Sequence, residues 1–294
     1  MDSKYDLFLW AKNGESTLPE VLRRSSEVIP HEFISQRILV DDHSVDRSKD
    51  IAKDFGWTVY PNEVGGIGNG AKTALSHVTQ ERFISLEQDV MLARDWFERI
   101  PRYLDNDDVV VAQGWRISNH PVIGKIDEYS MNRFRSQYSI DNNVYKTRIV
   151  RSLGGFPGHL RYPGVDAYLR RKILNAGLTW VIDNSVLSIH VARAEHMRRY
   201  YNYGMAIPTL NLDVNPKDHP DPGLTLRRSA TIALFSPVRG LEIALKKHCP
   251  KAAYYYPLMR LSHFSGCFKS YASGSQSKLV PRTSGLESLK DRWA

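Results

Sequence analysis

Cysteine is almost missing from this 294-residue chain: Cys249 and Cys267 are the only two. Two thiols cannot build a disulfide scaffold or a thiolate metal cage, so a reduced, soluble, cytoplasmic chain is expected. Long apolar runs are missing too; none approaches the roughly 20 residues of a membrane-spanning helix. A secretory leader is not expected either, because Asp2, Lys4 and Asp6 fall where its apolar core would sit. What remains is ordinary globular usage, 42% hydrophobic and 24% charged, which argues against fibrous or wholly disordered chains. At about 150 residues per domain, the length allows one large domain or two small ones.

The net charge of +8 is unevenly placed. From Arg193 onward there are 16 Lys/Arg against 7 Asp/Glu, whereas the part before it is nearly balanced. That asymmetry predicts an anionic surface met by the last third: lipid, nucleic acid or a phosphorylated acceptor. No nucleic-acid motif accompanies the charge, so nucleic acid is not the expected partner.

The first half alternates strand-like and helix-like runs. Asp6–Ala11, Ile38–Val40, Trp57–Tyr60 and Arg82–Leu86 read as strands. The segments carrying Leu18 to Ile29, Val45 to Phe55 (with Ser44 as N-cap) and Ala71 to Val78 read as helices. This rhythm predicts a parallel, helix-covered sheet, with ligands at the carboxyl ends of its strands. Further on, Asp108–Gln113, Trp180–Ile182 and Val186–His190 read as strands, and Tyr129–Tyr138 and Val165–Ala176 as helices. A Pro- and Asp-rich linker is expected over 215–223. Basic, aromatic helices are expected over 226–245 and 252–271, and a mobile tail from Gly274. The expected division is 1–214, 215–273 and 274–294.

Three constellations could carry chemistry. Asp41-Asp42, with Asp46 four residues on, closes a strand; such carboxylates can accept from a nucleobase N–H or ribose hydroxyls, but they equally suit a helix-start turn. Glu87-x-Asp89 closes another strand and points two carboxylates the same way, which suits a hard divalent cation bound together with diphosphate oxygens; an exposed acidic turn is the plainer alternative. The Gly65–Gly70 turn follows the third strand and lacks GxGxxG spacing, so it is not a dinucleotide fingerprint. Close backbone approach to a phosphate beside Lys72, or a plain flexible loop, remain for it. Asp166 opens a helix, where a carboxylate complements the dipole, and a lone His190 ending a strand reads as structural.

In order, these marks resemble the inverting family 2 glycosyltransferases of GT-A fold, over about Tyr5 to Tyr203. Ala11-Lys12-Asn13-Gly14-Glu15 is similar to the family's first loop, Val40 to Asp46 to its VDDGSxD signature, and Gly68 to Leu75 to the following loop and helix. Phe83 to Asp89 sits where the DxD motif belongs, and Leu153 to Phe156 followed by Val165-Asp166 resembles the acceptor loop and base. Glu87 stands where Asp is usual, and Val165 where an acid is usual. The QxxRW motif of processive synthases is missing.

The resemblance implies a Rossmann-like, mostly parallel GT-A sheet covered by helices, with a helical C-terminal extension. It implies a single addition of sugar from a nucleoside-diphosphate donor to an acceptor hydroxyl, in glycan, glycolipid or surface polysaccharide synthesis. Ala11, Asn13, Glu15, Asp41, Asp42, Lys72 and Gln88 would then meet the donor. Glu87, Asp89 and His190 would meet Mg²⁺ or Mn²⁺, and Asp166 would be the general base. The acceptor would be a glycan or lipid-linked molecule, and the basic C-terminal helices would suit either an anionic membrane surface, peripherally on its inner face, or ordinary packing. A non-catalytic nucleotide-sugar-binding relative and a nucleotidyltransferase on a similar sheet are the alternatives.

Overall fold

The structure, a computed structural model, describes residues 4–134, 137–160, 164–191, 196–212 and 226–273. Eight strands among them form one sheet: β1 (Tyr5–Ala11), β2 (Ile34–Asp41), β3 (Thr58–Pro61), β4 (Arg82–Glu87), β5 (Val90–Met91), β6 (Val109–Ser118), β7 (Asn143–Lys146) and β8 (Thr179–His190). Their order is β3-β2-β1-β4-β7-β6-β8-β5. The β3, β2, β1 and β4 strands are mutually parallel, β6 and β8 run parallel to each other, and β7 and β5 run against their neighbours.

Side-chain alternation along β1 explains the layers. Tyr5, Leu7, Leu9 and Ala11 enter the core on one face, under α1 (Leu18–Val28) and α4 (Trp96–Arg99). Phe8 and Trp10 enter the core on the other, under α3 (Ile67–His77) and α7 (Val165–Asn175). With both faces covered, β1 is buried along its whole length, as expected of a central parallel strand.

Several boundaries differ from the sequence reading. The helix expected from Val45 starts only at Ser48 (α2, Ser48–Asp54), and Arg47 precedes it where Ser44 was expected to cap. The intervening turn is held instead by the loop after β1, through Asn13 and Glu15. Trp180–Ile182 and Val186–His190 are one strand, interrupted by a register shift opposite Gly114/Trp115. The helix expected at Tyr129–Tyr138 is α5, Ile123–Phe134. Several elements were not foreseen: the short β5 and α4, the short β7 followed by α6 (Thr147–Ser152), and α8 (His196–Leu212). The linker at 215–223 and the tail from Gly274 lie outside the described residues.

The two expected C-terminal helices are α9 (Leu226–Lys246) and α10 (Ala252–Ala272). They pack with α8 and α5 around Val122, Ile126, Tyr129, Ile243, Tyr256 and Met259, so packing crosses position 214. Where α8 and α10 cross, a Cβ on Gly204 would collide with the His263 carbonyl, and one on Gly266 with that of Tyr201. Only glycine lets these two backbones approach so closely.

Candidate active site

At the carboxyl ends of β1, β2 and β3, side chains are spent on neighbouring backbone. The Ser44 hydroxyl accepts from the Asn13 amide at 2.9 Å, and Ser48 Oγ from the buried Gly14 amide at 2.7 Å. In return, Asn13 Oδ1 accepts from the Val45 amide and Glu15 Oε2 from the Arg47 amide. Asp41 Oδ2 takes the Ser44 amide at 3.1 Å. Asp42 Oδ1 takes both Asn62 Nδ2 and the Gly66 amide at 3.1 Å, while Lys12 Nζ stands 3.4 Å from its other oxygen. Asp46 accepts from the amides of Glu15 and Ser48 and from the Ser48 hydroxyl; burial pushes its carboxyl up, and these bonds more than reverse that, leaving it below its ordinary value.

Gln88 closes the same corner. Its amide accepts from Lys12 N at 2.9 Å and donates to Lys12 O at 3.3 Å. A Cβ on Gly14 would press on that amide, so any larger residue there would displace the Gln88 side chain. The Gly65–Gly70 turn, considered for a phosphate, spends four of its amides inside the chain: those of Gly65, Gly66, Gly68 and Gly70, with Gly68 taken by the Leu160 carbonyl at 3.1 Å. Gly68 is glycine because the 157–160 backbone packs directly on it, and Lys72 lies beside Gly158 in the same contact.

Beyond this corner opens a cavity of about 740 Å³. Glu87, Asp89 and Asp166 line it, with His190 from the end of β8. Trp10 and Ile67 supply its side nearest the β1 and α3 loops, whereas Asn13, Asp41, Asp42, Lys72 and Gln88 are not among its lining residues. The structure therefore unites the expected base with the expected metal-binding side chains, and leaves the expected donor-binding set in the adjoining corner.

Five further charged residues reach this cavity without having been singled out as site residues in the sequence: Arg116 on β6, Asp127 on α5, Asp141 before β7, and Arg198 and Arg199 on α8. Arg116 Nη1 bonds both oxygens of buried Asp141, at 2.9 and 3.0 Å, and stands 3.4 Å from Glu87 Oε2. Burial, then Asp141 and Asp89, push the Glu87 carboxyl well above its ordinary value, against Arg116 and Arg199. Burial also raises Asp166, whose Oδ1 accepts from the Ala167 amide, and lifts Asp127 to about 6. A guanidinium within a buried β-strand was the available signal: Arg116 interrupts an apolar run, and such a charge needs partners.

His190 Nε2 lies 3.7 Å from Asp89 Oδ1 and 3.0 Å from Arg199 Nη1. Among the described residues, no three His, Cys, Asp or Glu side chains stand close enough to cage a metal by themselves. A carboxylate beside an imidazole does suit a divalent ion that completes its shell with phosphate oxygens and water.

The sequence pattern of glycosyl transferase family 2 matches residues 7–176. No curated protein sequence matches the chain. Among solved structures, the chain is similar to the mannosyltransferase PcManGT of Pyrobaculum calidifontis in complex with GDP-Man and Mn²⁺, at TM-score 0.68 and 17% identity, covering 93% of this chain and 88% of that one. It is similar to S. aureus TarS 1–349 in complex with UDP, at TM-score 0.53 and 14% identity, covering 92% of each chain. It also resembles glucosyl-3-phosphoglycerate synthase of Mycobacterium tuberculosis, with Mn²⁺, UDP and phosphoglyceric acid, at TM-score 0.54 and 14% identity, covering 71% of this chain and 78% of that one. With a sheet that agrees with the GT-A fold and a family match over more than half its length, the chain belongs to glycosyl transferase family 2.

Proposed function

We propose that this glycosyltransferase moves one sugar from a nucleoside-diphosphate donor to an acceptor hydroxyl, with inversion and with the help of a divalent cation. The observation that carries the reading is the convergence of Asp166, Asp89, Glu87 and Arg116 on one cavity at the carboxyl edge of the sheet. Asp166 takes the hydroxyl proton as the acceptor oxygen bonds to the anomeric carbon. The bond to the diphosphate breaks on the opposite face. Its raised pKa makes Asp166 a stronger base than an exposed carboxylate, which is the direction general-base work favours.

Asp89 and His190 would hold the cation, with Glu87 beside them paired to Arg116, which also binds Asp141. When bound, Mg²⁺ or Mn²⁺ supplies positive charge against the departing diphosphate. Arg116 and Arg199 add fixed cations to the same wall, and burial keeps such charges effective. Trp10 and Ile67 shape the side facing the loops of Ala11, Asn13, Glu15, Asp41 and Asp42, where the nucleoside would lie, next to Lys72 and Gln88. The acceptor would be a glycan or a lipid-linked molecule.

Thermal unfolding with UDP, GDP, dTDP and ADP, each with and without Mn²⁺, tests the reading. One diphosphate should raise Tm in a metal-dependent way; saturation at 100 times Kd is worth about 2.7 kcal/mol. No shift with any of the four would overturn the donor pocket, and a shift without sugar transfer to any acceptor would favour a binding protein.

A further inference from the structure

The helical hairpin α9–α10 buries one face of each helix and leaves the opposite face apolar. On α9, Leu234, Val238, Leu241 and Leu245 recur at i, i+4, i+7 and i+11, across the helix from buried Ala233, Gly240, Ile243 and Ala244. On α10, Tyr254, Leu258, Leu261 and Phe268 recur at i, i+4, i+7 and i+14, across from buried Tyr256, Met259, Gly266 and Cys267. These eight side chains are between 48% and 74% exposed. Single exposed leucines are common on soluble proteins, but an exposed apolar stripe on each of two packed neighbouring helices is the kind of surface that marks a contact.

The charge around the patch identifies what meets it. Residues 226–272 carry eight Lys/Arg and one carboxylate, Glu242. Glu242 is already engaged, by Lys246 at 2.9 Å and Arg239 at 3.3 Å. Arg227 and Arg228 stand at one end of the hairpin, and Lys246, Lys247 and Lys251 at the other. Apolar stripes bounded by cations suit the boundary between acyl chains and anionic headgroups, where aliphatic side chains leave water and Lys/Arg remain at the phosphates. No described helix is long and apolar enough to cross a bilayer, so the surface would be met from one side.

We infer that the exposed apolar face of α9–α10 docks the protein on an anionic lipid surface, lying in the interface plane. The placement bears on the cavity. His263, which lines it, is two residues from Leu261 on the outward face, so the lipid boundary would lie about one helix diameter, roughly 10–12 Å, from the site. That distance suits an acceptor hydroxyl presented from a lipid headgroup.

Co-sedimentation of the full chain with phosphatidylglycerol/phosphatidylcholine vesicles, and with phosphatidylcholine alone, tests this. Binding is expected to the anionic vesicles and to weaken as salt rises. Leu241→Ser and Leu258→Ser should each reduce it roughly tenfold, the scale set by burying a leucine side chain. Because both positions face solvent, an unchanged Tm should accompany that loss. A folded chain that ignores anionic vesicles at low salt would overturn the inference. So would binding that the two serine variants leave untouched, or a dimer that those variants dissolve while vesicles go unbound; the last would assign the face to a second copy. Nucleotide-induced stabilisation reads the cavity alone, so failure here and failure of the transferase reading are separable.

Discussion

At the corner formed by β1, β2 and β3, a carboxylate meets backbone amides; across the cavity, at β4, β6 and β7, it meets a guanidinium and other carboxylates. Asp41, Asp42 and Asp46 each accept from amides within a few ångströms of their own turn or its neighbour. Glu87 and Asp141 depend on Arg116, which comes from a different strand. The first arrangement makes a stiff clasp between loops at little electrostatic cost. The second stores like charges in a desolvated wall, which raises pKa values and keeps a site responsive to an incoming anion or cation. Rigidity and reactivity are therefore divided between two parts of one sheet edge.

The sharpest way to separate them is Asp166→Asn. On the cavity side, losing the general base should lower turnover by about 10²–10⁴-fold, while nucleotide-induced stabilisation survives because the clasp is untouched. Steady-state transfer assays read the first and thermal shifts the second. Unchanged turnover would remove Asp166 from its role. Next in size is Arg116→Met, which leaves Glu87 and Asp141 without their shared cation. Removing one partner from buried charges costs about 3–5 kcal/mol, and equilibrium urea unfolding at neutral pH should show a loss on that scale. The loss should shrink when the pH is lowered enough to protonate the carboxylates.

Ser48→Ala probes the clasp. It strands the buried Gly14 amide, now bonded to Ser48 Oγ at 2.7 Å, at a cost of about 1–3 kcal/mol. The same denaturant titration checks it. A loss as large as that of Arg116→Met would erase the contrast between the two regions.

That contrast also explains what could be read from the sequence. The clasp is written in adjacent residues, so Asp41-Asp42, with Asp46 four residues on, announces itself at a strand end, and the parallel β1–β4 core follows from short apolar runs. The start of α2 was not legible, because Asn13 and Glu15, more than 30 residues away, hold the 45–47 backbone out of the helix. Nor was the charged wall, since Arg116, Asp127, Asp141 and Arg199 share no spacing and meet only after β6, β7, α5 and α8 are assembled. The β7 strand has only four residues, too few for an alternation to mark it, and it becomes a strand by pairing with β4 and β6. The α8 helix has no strong apolar stripe because its contact with α10 runs through Gly204 and Gly266, where close backbones replace large side chains.

His263 supplies the last test, on the helical side of the cavity. Its Nδ1 lies 3.0 Å from Ser229 Oγ, and burial, with Arg260 nearby, lowers its pKa to about 4 from an ordinary value near 6.5. The unfolded chain therefore binds a proton here before the folded chain does. The contribution to stability is complete above pH 6.5 and declines as pH falls towards 4, by at most about 1.4 kcal/mol per pH unit for a single proton. His263→Asn removes that proton, so the variant should lose less stability than the parent between pH 6.5 and 4, with the two curves parallel above pH 7. Urea midpoints across that range give the comparison. Parallel curves throughout would mean that the imidazole is hydrated in the folded state, and the seam between α8, α9 and α10 would then be open to water rather than sealed by Gly204 and Gly266.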